Sequence, residues 1–133
     1  MEIGFEIKLN QPYLSSLNKV TAALKNEGFG VLTEIDVQST LKEKLGESFR
    51  QYTILGACNP PLAHKALSHD GVVGLLLPCN VTVEADGETR SIIRIINPEV
   101  MMTVGELHND DVIHEIALEA RSRLERVAQS LME

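Results

Sequence analysis

Two short segments of the chain repeat one theme: Cys58-Asn59-Pro60-Pro61 and Leu77-Pro78-Cys79-Asn80. Each sets a Cys-Asn pair beside proline. A thiol becomes a nucleophile or a metal ligand once it loses its proton. A neighbouring amide can orient a bound group or stabilise charge. His64 lies about one helical turn after Asn59 and adds an imidazole. Three readings are open. In the first, both cysteines pack as small core residues, because Cys is among the most buried residue types. In the second, Cys58, Cys79 and His64 hold a metal ion, with zinc the cofactor that suits such ligands at an open site. In the third, one thiolate attacks while Asn59 or Asn80 stabilises charge, or the pair forms a reversible disulfide. The spacing matches no standard zinc motif and contains no Cys-x-x-Cys.

Whether these groups meet depends on the strands that carry them. Tyr52, Ile54, Gly56 and Cys58 share one face of a strand over 51–58. Cys79, Val81, Val83 and Ala85 alternate with Asn80, Thr82, Glu84 and Asp86, which is strand patterning. If the two strands run antiparallel, Cys58 and Cys79 lie at the same end of the sheet. Pro60 pushes Asn59 into an extended conformation, and Pro61 fits the first turn of a helix running to His69. The N-terminus of that helix would lower the pKa of a thiol beside it.

The other elements follow from the same patterns. Ile3, Phe5, Ile7 and Leu9 predict a strand over 2–9. Pro12 opens a helix with the apolar stripe Leu14, Leu17, Val20 and Leu24, closed by Gly28. A strand over 29–35 leads to Asp36, which caps a short helix bearing Val37, Leu41 and Leu45 and stopped by Gly46. Asp86-Gly87 signals a hairpin into a strand over 89–97. A two-residue loop would set Val83 opposite Arg90. A loop of odd length, with Gly87 near a bulge, puts Ile93 and Ile95 on the face of Val81 and Val83 and keeps charge out of the core. After a short turn at 98–102, the longest helix spans 110–131. Its stripe runs from Ile113 through Ala117, Ala120, Leu124 and Val127 to Leu131. Asn109, Asp110 and Asp111 suit its positive end, and Glu119–Arg123 is an i, i+4 pair in the favourable order. The predicted class is α+β: two layers, with a mostly antiparallel five-stranded sheet against a long C-terminal helix.

Composition bounds the function. The chain has 133 residues, 44% of them apolar, and a net charge of −7. That length fits one domain over 1–133, with a core large enough to need no staple. The acidic balance argues against nucleic-acid partners and against an anionic membrane surface. No apolar stretch reaches the roughly 18 residues of a membrane span. The first residues lack the basic and apolar regions of a secretory leader, and two cysteines suit a reducing compartment, so the expected location is cytoplasmic.

No complete catalytic motif is present. Gly28-Phe29-Gly30 precedes a strand and has no following Lys-Ser/Thr, so it is not a phosphate loop. His114-Glu115 lacks the second histidine of a metalloprotease helix. His108 and His114 flank a solvated helix start, and His69-Asp70 reads as a helix end.

Three stretches carry a family resemblance: residues 28–36, Tyr52 to Ala63 with its Cys-Asn-Pro-Pro, and Gly74 to Val81 with its Leu-Pro-Cys-Asn. Together they resemble the bacterial and archaeal family called domain of unknown function 302. The resemblance implies a curved antiparallel sheet wrapped around the last helix, in the broad manner of TATA-binding-protein-like folds. It also implies a homodimer, and it marks Cys58, Asn59, Pro60, Pro61, Pro78, Cys79 and Asn80 as signature positions. It supplies no activity, and fold analogy to a DNA-binding architecture does not imply DNA binding.

Two expectations follow. One is a non-enzymatic module that binds a small ligand or assembles as a homodimer. The other is a thiol-redox or metal-binding protein that uses Cys58, Cys79 and His64, with Asn59 and Asn80 beside them.

Overall fold

Alternating hydrophobicity builds five strands, and all of them join one open sheet. In the computed structural model, which describes residues 1–132, the strands are β1 (Gly4–Leu9), β2 (Gly30–Asp36), β3 (Tyr52–Cys58), β4 (Cys79–Ala85) and β5 (Ser91–Ile96). The helices are α1 (Tyr13–Asn26), α2 (Val37–Leu45), α3 (Pro60–His69), α4 (Pro98–Met101) and α5 (Asp111–Met132). Short 3-10 turns cover Gly71–Leu75 and Gly105–Asn109. The sheet order is β1-β5-β4-β3-β2, and every neighbouring pair is antiparallel. The architecture is α+β, as the element order predicts.

The core lies between one face of the sheet and the helices α1 and α5. Leu55, Val81, Val83, Ile93 and Ile95 meet Val20, Leu24, Leu124, Val127 and Leu131 there. Each such side chain contributes about 1.5–3 kcal/mol by leaving water. The hairpin register is the one that keeps charge out: Val83 pairs with Ile93 and Val81 with Ile95. Gly87 has φ 77° and occupies the connecting loop. The β4–β5 ladder itself runs without a shift. The bulge of this sheet falls on β2, between Val31 and Thr33.

Helix ends follow the residues that can satisfy them. At the end of α1, Gly28 adopts φ 81° and donates to the carbonyl of Lys25, while Phe29 donates to Leu24. That pair of bonds is a Schellman cap, and Phe29 and Leu24 are both buried. Asp36 caps α2 through the Ser39 amide. Asp110 caps α5 by accepting from the Ile113 and Val112 amides, and it also meets His69 at 2.8 Å. The Ile113 bond first, then His69, holds its carboxyl below the usual range.

Two stripes depart from expectation. Leu14 of α1 is exposed, and the helix instead buries Tyr13, Ser16, Val20, Ala23 and Leu24. The polar members have partners: the Tyr13 hydroxyl meets Thr53 on β3, and the Ser16 hydroxyl meets Ser91 on β5. Hydrogen bonding to the sheet therefore overrides simple hydropathy in setting the rotation of α1. The second departure is α2, which buries no residue, although Leu41 and Leu45 make it amphipathic. At the N-terminus, Ile3 lies outside β1 and is exposed.

A second apolar cluster lies apart from the main core. Ala66 of α3, Val73, Met102, Leu107 and the first turns of α5 at Ile113 and Ala117 form it.

Candidate functional site

Between the two apolar clusters is a cavity of about 370 Å³. Its wall takes Phe29, Ala57 and Ala120 from the main core and Ala66, Met102, Ile113 and Ala117 from the second. The seam exists because small residues face it. Ala63, Ala66, Ala117 and Ala120 stand where larger side chains would close the gap. The volume sits at the low end of the roughly 300–1,000 Å³ typical of small-molecule sites.

The Cys-Asn segments meet at this cavity. Ala57 on β3 pairs with Cys79 on β4, so Cys58 follows directly beyond that pair. Alternation turns Cys79 toward the core with Val81, while Cys58 belongs to the opposite face. Both still line the cavity. Asn59 is buried beside them. Its side chain accepts the Leu62 amide at 3.2 Å and so caps α3. Pro60 and Pro61 occupy the first turn of that helix.

Two of the sequence candidates lie elsewhere. His64 is exposed on α3 and is not part of the cavity wall. Asn80 is exposed on β4 and lines a separate depression on the open face of the sheet, with Tyr52, Thr82 and Arg94. The reason is periodicity. Asn80 directly follows Cys79 on a strand and must point to the opposite side. Among the described residues, no three His, Cys, Asp or Glu side chains form a group able to hold a metal ion.

The electrostatics of the thiols also differ from expectation. A helix N-terminus beside Cys58 would favour thiolate, yet burial wins and pushes the Cys58 thiol up. Cys79 is pushed up to about 11, first by burial and then by the charge of Cys58. The cavity therefore holds neutral thiols at physiological pH. Both cysteines are free.

Sequence reading missed Met101 and Met102, which line the same cavity. They read only as the end of a short turn after Pro98. The usable signal was a density of alanine on the faces of α3 and α5. Alanine at stripe positions leaves volume that another element must fill or leave open.

A different polar cluster lies on the open face. The Glu84 side chain is 6% exposed and receives Arg50 at 2.5 Å and also Arg94. Burial alone would raise its carboxyl, but these two guanidiniums outweigh that and hold it below the usual range. Arg94 also bonds Glu6 at 3.0 Å, so its charge is matched by carboxylates. The Thr82 hydroxyl nearby is buried without a partner.

No helix among the described residues is long and apolar enough to cross a membrane. No curated protein matches the chain. A crystal structure of an uncharacterized conserved protein DUF302 from Bacillus stearothermophilus is similar over 97% of this chain and 98% of its own, with 28% identity and a TM-score of 0.84. The family model described as Domain of unknown function DUF302 matches residues 5–131. That span takes in both Cys-Asn segments and every residue of the cavity wall, and the chain belongs to this family.

Proposed function

We propose that the protein is a binding module that takes a small apolar molecule into the cavity between its two cores. The observation that carries this reading is the wall itself. It is built from Leu, Ala, Ile, Met, Phe and Pro side chains, with polar groups confined to Thr33, Asn59 and the thiols. Such a wall gains most from an apolar guest, and a few polar groups fix its orientation. It offers no charged acid, base or activated nucleophile, which disfavours catalysis at this site.

The test is an NMR titration with indole and with medium-chain alcohols. Saturable shifts should appear at the methyls of Ala66, Ala117 and Ala120. The variant Ala117→Leu fills the space from α5 and should abolish them. Its stability should stay level or rise by up to about 2 kcal/mol, as cavity filling usually does. Shifts that never saturate, or that persist unchanged in Ala117→Leu, would sink the reading.

A second part concerns assembly. We infer that two copies pair through the edge strand β2, with α2 beside it. The supporting observation is that α2 buries nothing, while Leu32 and Leu45 are each 68% exposed. An antiparallel edge can pair with its own copy about a twofold axis, which makes the contact self-complementary. Sedimentation velocity reads this directly. The wild type should sediment as a dimer and Leu32→Glu/Leu45→Glu as a monomer. A monomeric wild type at high micromolar concentration rules the pairing out.

A further inference from the structure

The apolar run Val72-Val73-Gly74-Leu75-Leu76-Leu77 folds so that part of it stays in water. It starts as a 3-10 turn, and the Leu76 amide donates to the Val73 carbonyl at 2.9 Å. Three residues per turn set i and i+3 above one another. Val73 is therefore buried, with Leu76 packed on the same second core, while Val72 and Leu75 share the outer face. Leu75 is 85% exposed and Val72 46%. Val104, 59% exposed, joins them in the wall of a groove of about 460 Å³ between the two 3-10 turns. Leu76 and Leu107 tie that wall to the second core. The groove shares no wall residue with the cavity between the two cores.

The charged residues of the groove have one sign. Asp70, Glu106 and Asp110 line it, and among the described residues no Lys or Arg does. Asp70 and Asp110 are fixed by accepting the Val72 and Val112 amides, and Asp110 also meets His69 at 2.8 Å. Glu106 is exposed and stands in no ion pair among the described residues. Contiguous apolar groups with a polar rim mark interaction surfaces, and carboxylates on the rim favour cations opposite them. Neither edge strand, β1 or β2, lines the groove, so an extended peptide would find no ladder there. A helix satisfies its own backbone and presents apolar anchors at i, i+3 and i+4. We propose that this groove docks a basic amphipathic helix of another protein. Its apolar stripe covers Val72, Leu75 and Val104, and its Lys or Arg side chains face Asp70, Glu106 and Asp110. The same carboxylates repel nucleic acid and anionic lipid. The groove serves this role whether or not the cavity takes a ligand or β2 pairs.

The full chain is titrated into a fluorescein-labelled leucine–lysine peptide with helical spacing, and anisotropy is read. Two companions of equal length replace lysine by glutamate or leucine by serine. Only the leucine–lysine peptide should saturate. Val72→Asn/Leu75→Asn leaves the net charge at −7 and should lower affinity about 10-fold or more, the scale of losing two apolar contacts. Both residues lie on the surface, so circular dichroism should show an unchanged Tm. Glu106→Gln should lower affinity about 3-fold and flatten its fall with added salt. Leu45→Asn, on exposed α2, should bind as the wild type does. Wild-type affinity in Val72→Asn/Leu75→Asn overturns the proposal, because the peptide then sits elsewhere. Equal binding of the serine–lysine peptide also overturns it, as general attraction to an acidic chain. Sedimentation velocity covers the remaining occupant. Self-association that Val72→Asn/Leu75→Asn abolishes would assign the groove to a second copy and overturn the heterologous partner.

Discussion

Gly56 on β3 faces Thr33 across the bulge of β2, and a side chain on Gly56 would overlap the Thr33 hydroxyl. Pro78 closes from the other side, with its Cγ 2.7 Å from where that Cβ would sit. Thr33 and Pro78 both line the cavity. A single absent methyl thus lets the bulge and the Leu77-Pro78 segment approach each other over the strand that leads to Cys58.

Gly56→Ala should therefore cost about 1–3 kcal/mol in denaturant unfolding, the usual range for overpacking. Gly30→Ala on β2 is the control, because nothing lies within 4 Å of its added Cβ. It should be neutral, or stabilise by up to about 1 kcal/mol through the unfolded chain. Equal effects of the two substitutions would remove the close approach as the reason for Gly56.

Cys79 predicts a loss of stability in base. Its thiol rises from an ordinary 9.0 to about 11 in the folded chain. Below about pH 9 the thiol is neutral in both states and costs nothing. Between the two values the unfolded chain ionises and the folded one does not, so stability falls as pH rises. The loss is about 3 kcal/mol at 1.36 kcal/mol per pKa unit. Cys79→Ala should show a flatter profile from pH 9 to 11 than the wild type. Parallel profiles would contradict the assigned burial. Alkylation at pH 8 should label Cys58 well before Cys79, because Cys79 is both more buried and more weakly acidic.

Glu84 predicts the opposite dependence, in acid. Its carboxyl is held below the ordinary value of 4.5 by Arg94 and Arg50, against the burial that would raise it. The contribution is complete above that ordinary value. It is lost as pH falls through the lower folded value, because the unfolded chain takes up the proton first. Both arginines are partly exposed, so screening reduces the effect to about 1–2 kcal/mol. Glu84→Gln should be less stable than wild type at pH 7 and should lose less on acidification. A constant gap between the two proteins from pH 7 to pH 3 would show that the ion pairs carry no pH dependence.

Asn59 predicts a separation of cap from cavity. Its side chain bonds the Leu62 amide and lies 3.0 Å from where a Cβ on Gly28 would sit. Asn59→Asp keeps an acceptor for the cap, whereas Asn59→Ala removes it and should cost about 1 kcal/mol. Thermal unfolding measures both. A loss in Asn59→Asp as large as in Asn59→Ala would mean that the amide nitrogen, not the cap, matters.

Much of the fold is legible in the residues alone, for reasons that are local. A cap needs its acceptor within three residues, so Asp36 and Asp110 announce their helices. A strand alternates every two residues, so Val81, Val83, Ile93 and Ile95 announce their shared face, and the cost of burying Arg90 selects the hairpin register. The acidic balance and the absence of a long apolar run are sums over the chain and need no structure. The rotation of α1 was not legible, because Ser16 and Tyr13 look polar until Ser91 and Thr53 are brought opposite them.

The site divides along the same line. The sequence by itself determined that Cys58 ends one strand, that Cys79 begins another, and that a helix opens after Asn59 at Pro60-Pro61. Strand alternation already sets Asn80 apart from Cys79. Only the tertiary structure decided that β3 and β4 are antiparallel neighbours, that His64 lies outside the wall, that alanines on α3 and α5 leave a cavity, and that Met101 and Met102 line it. Helix and strand periods are properties of neighbouring residues, whereas a void is a property of which faces meet. Ala66, Ala117 and Met102 are far apart along the chain, and no periodicity relates them until packing does.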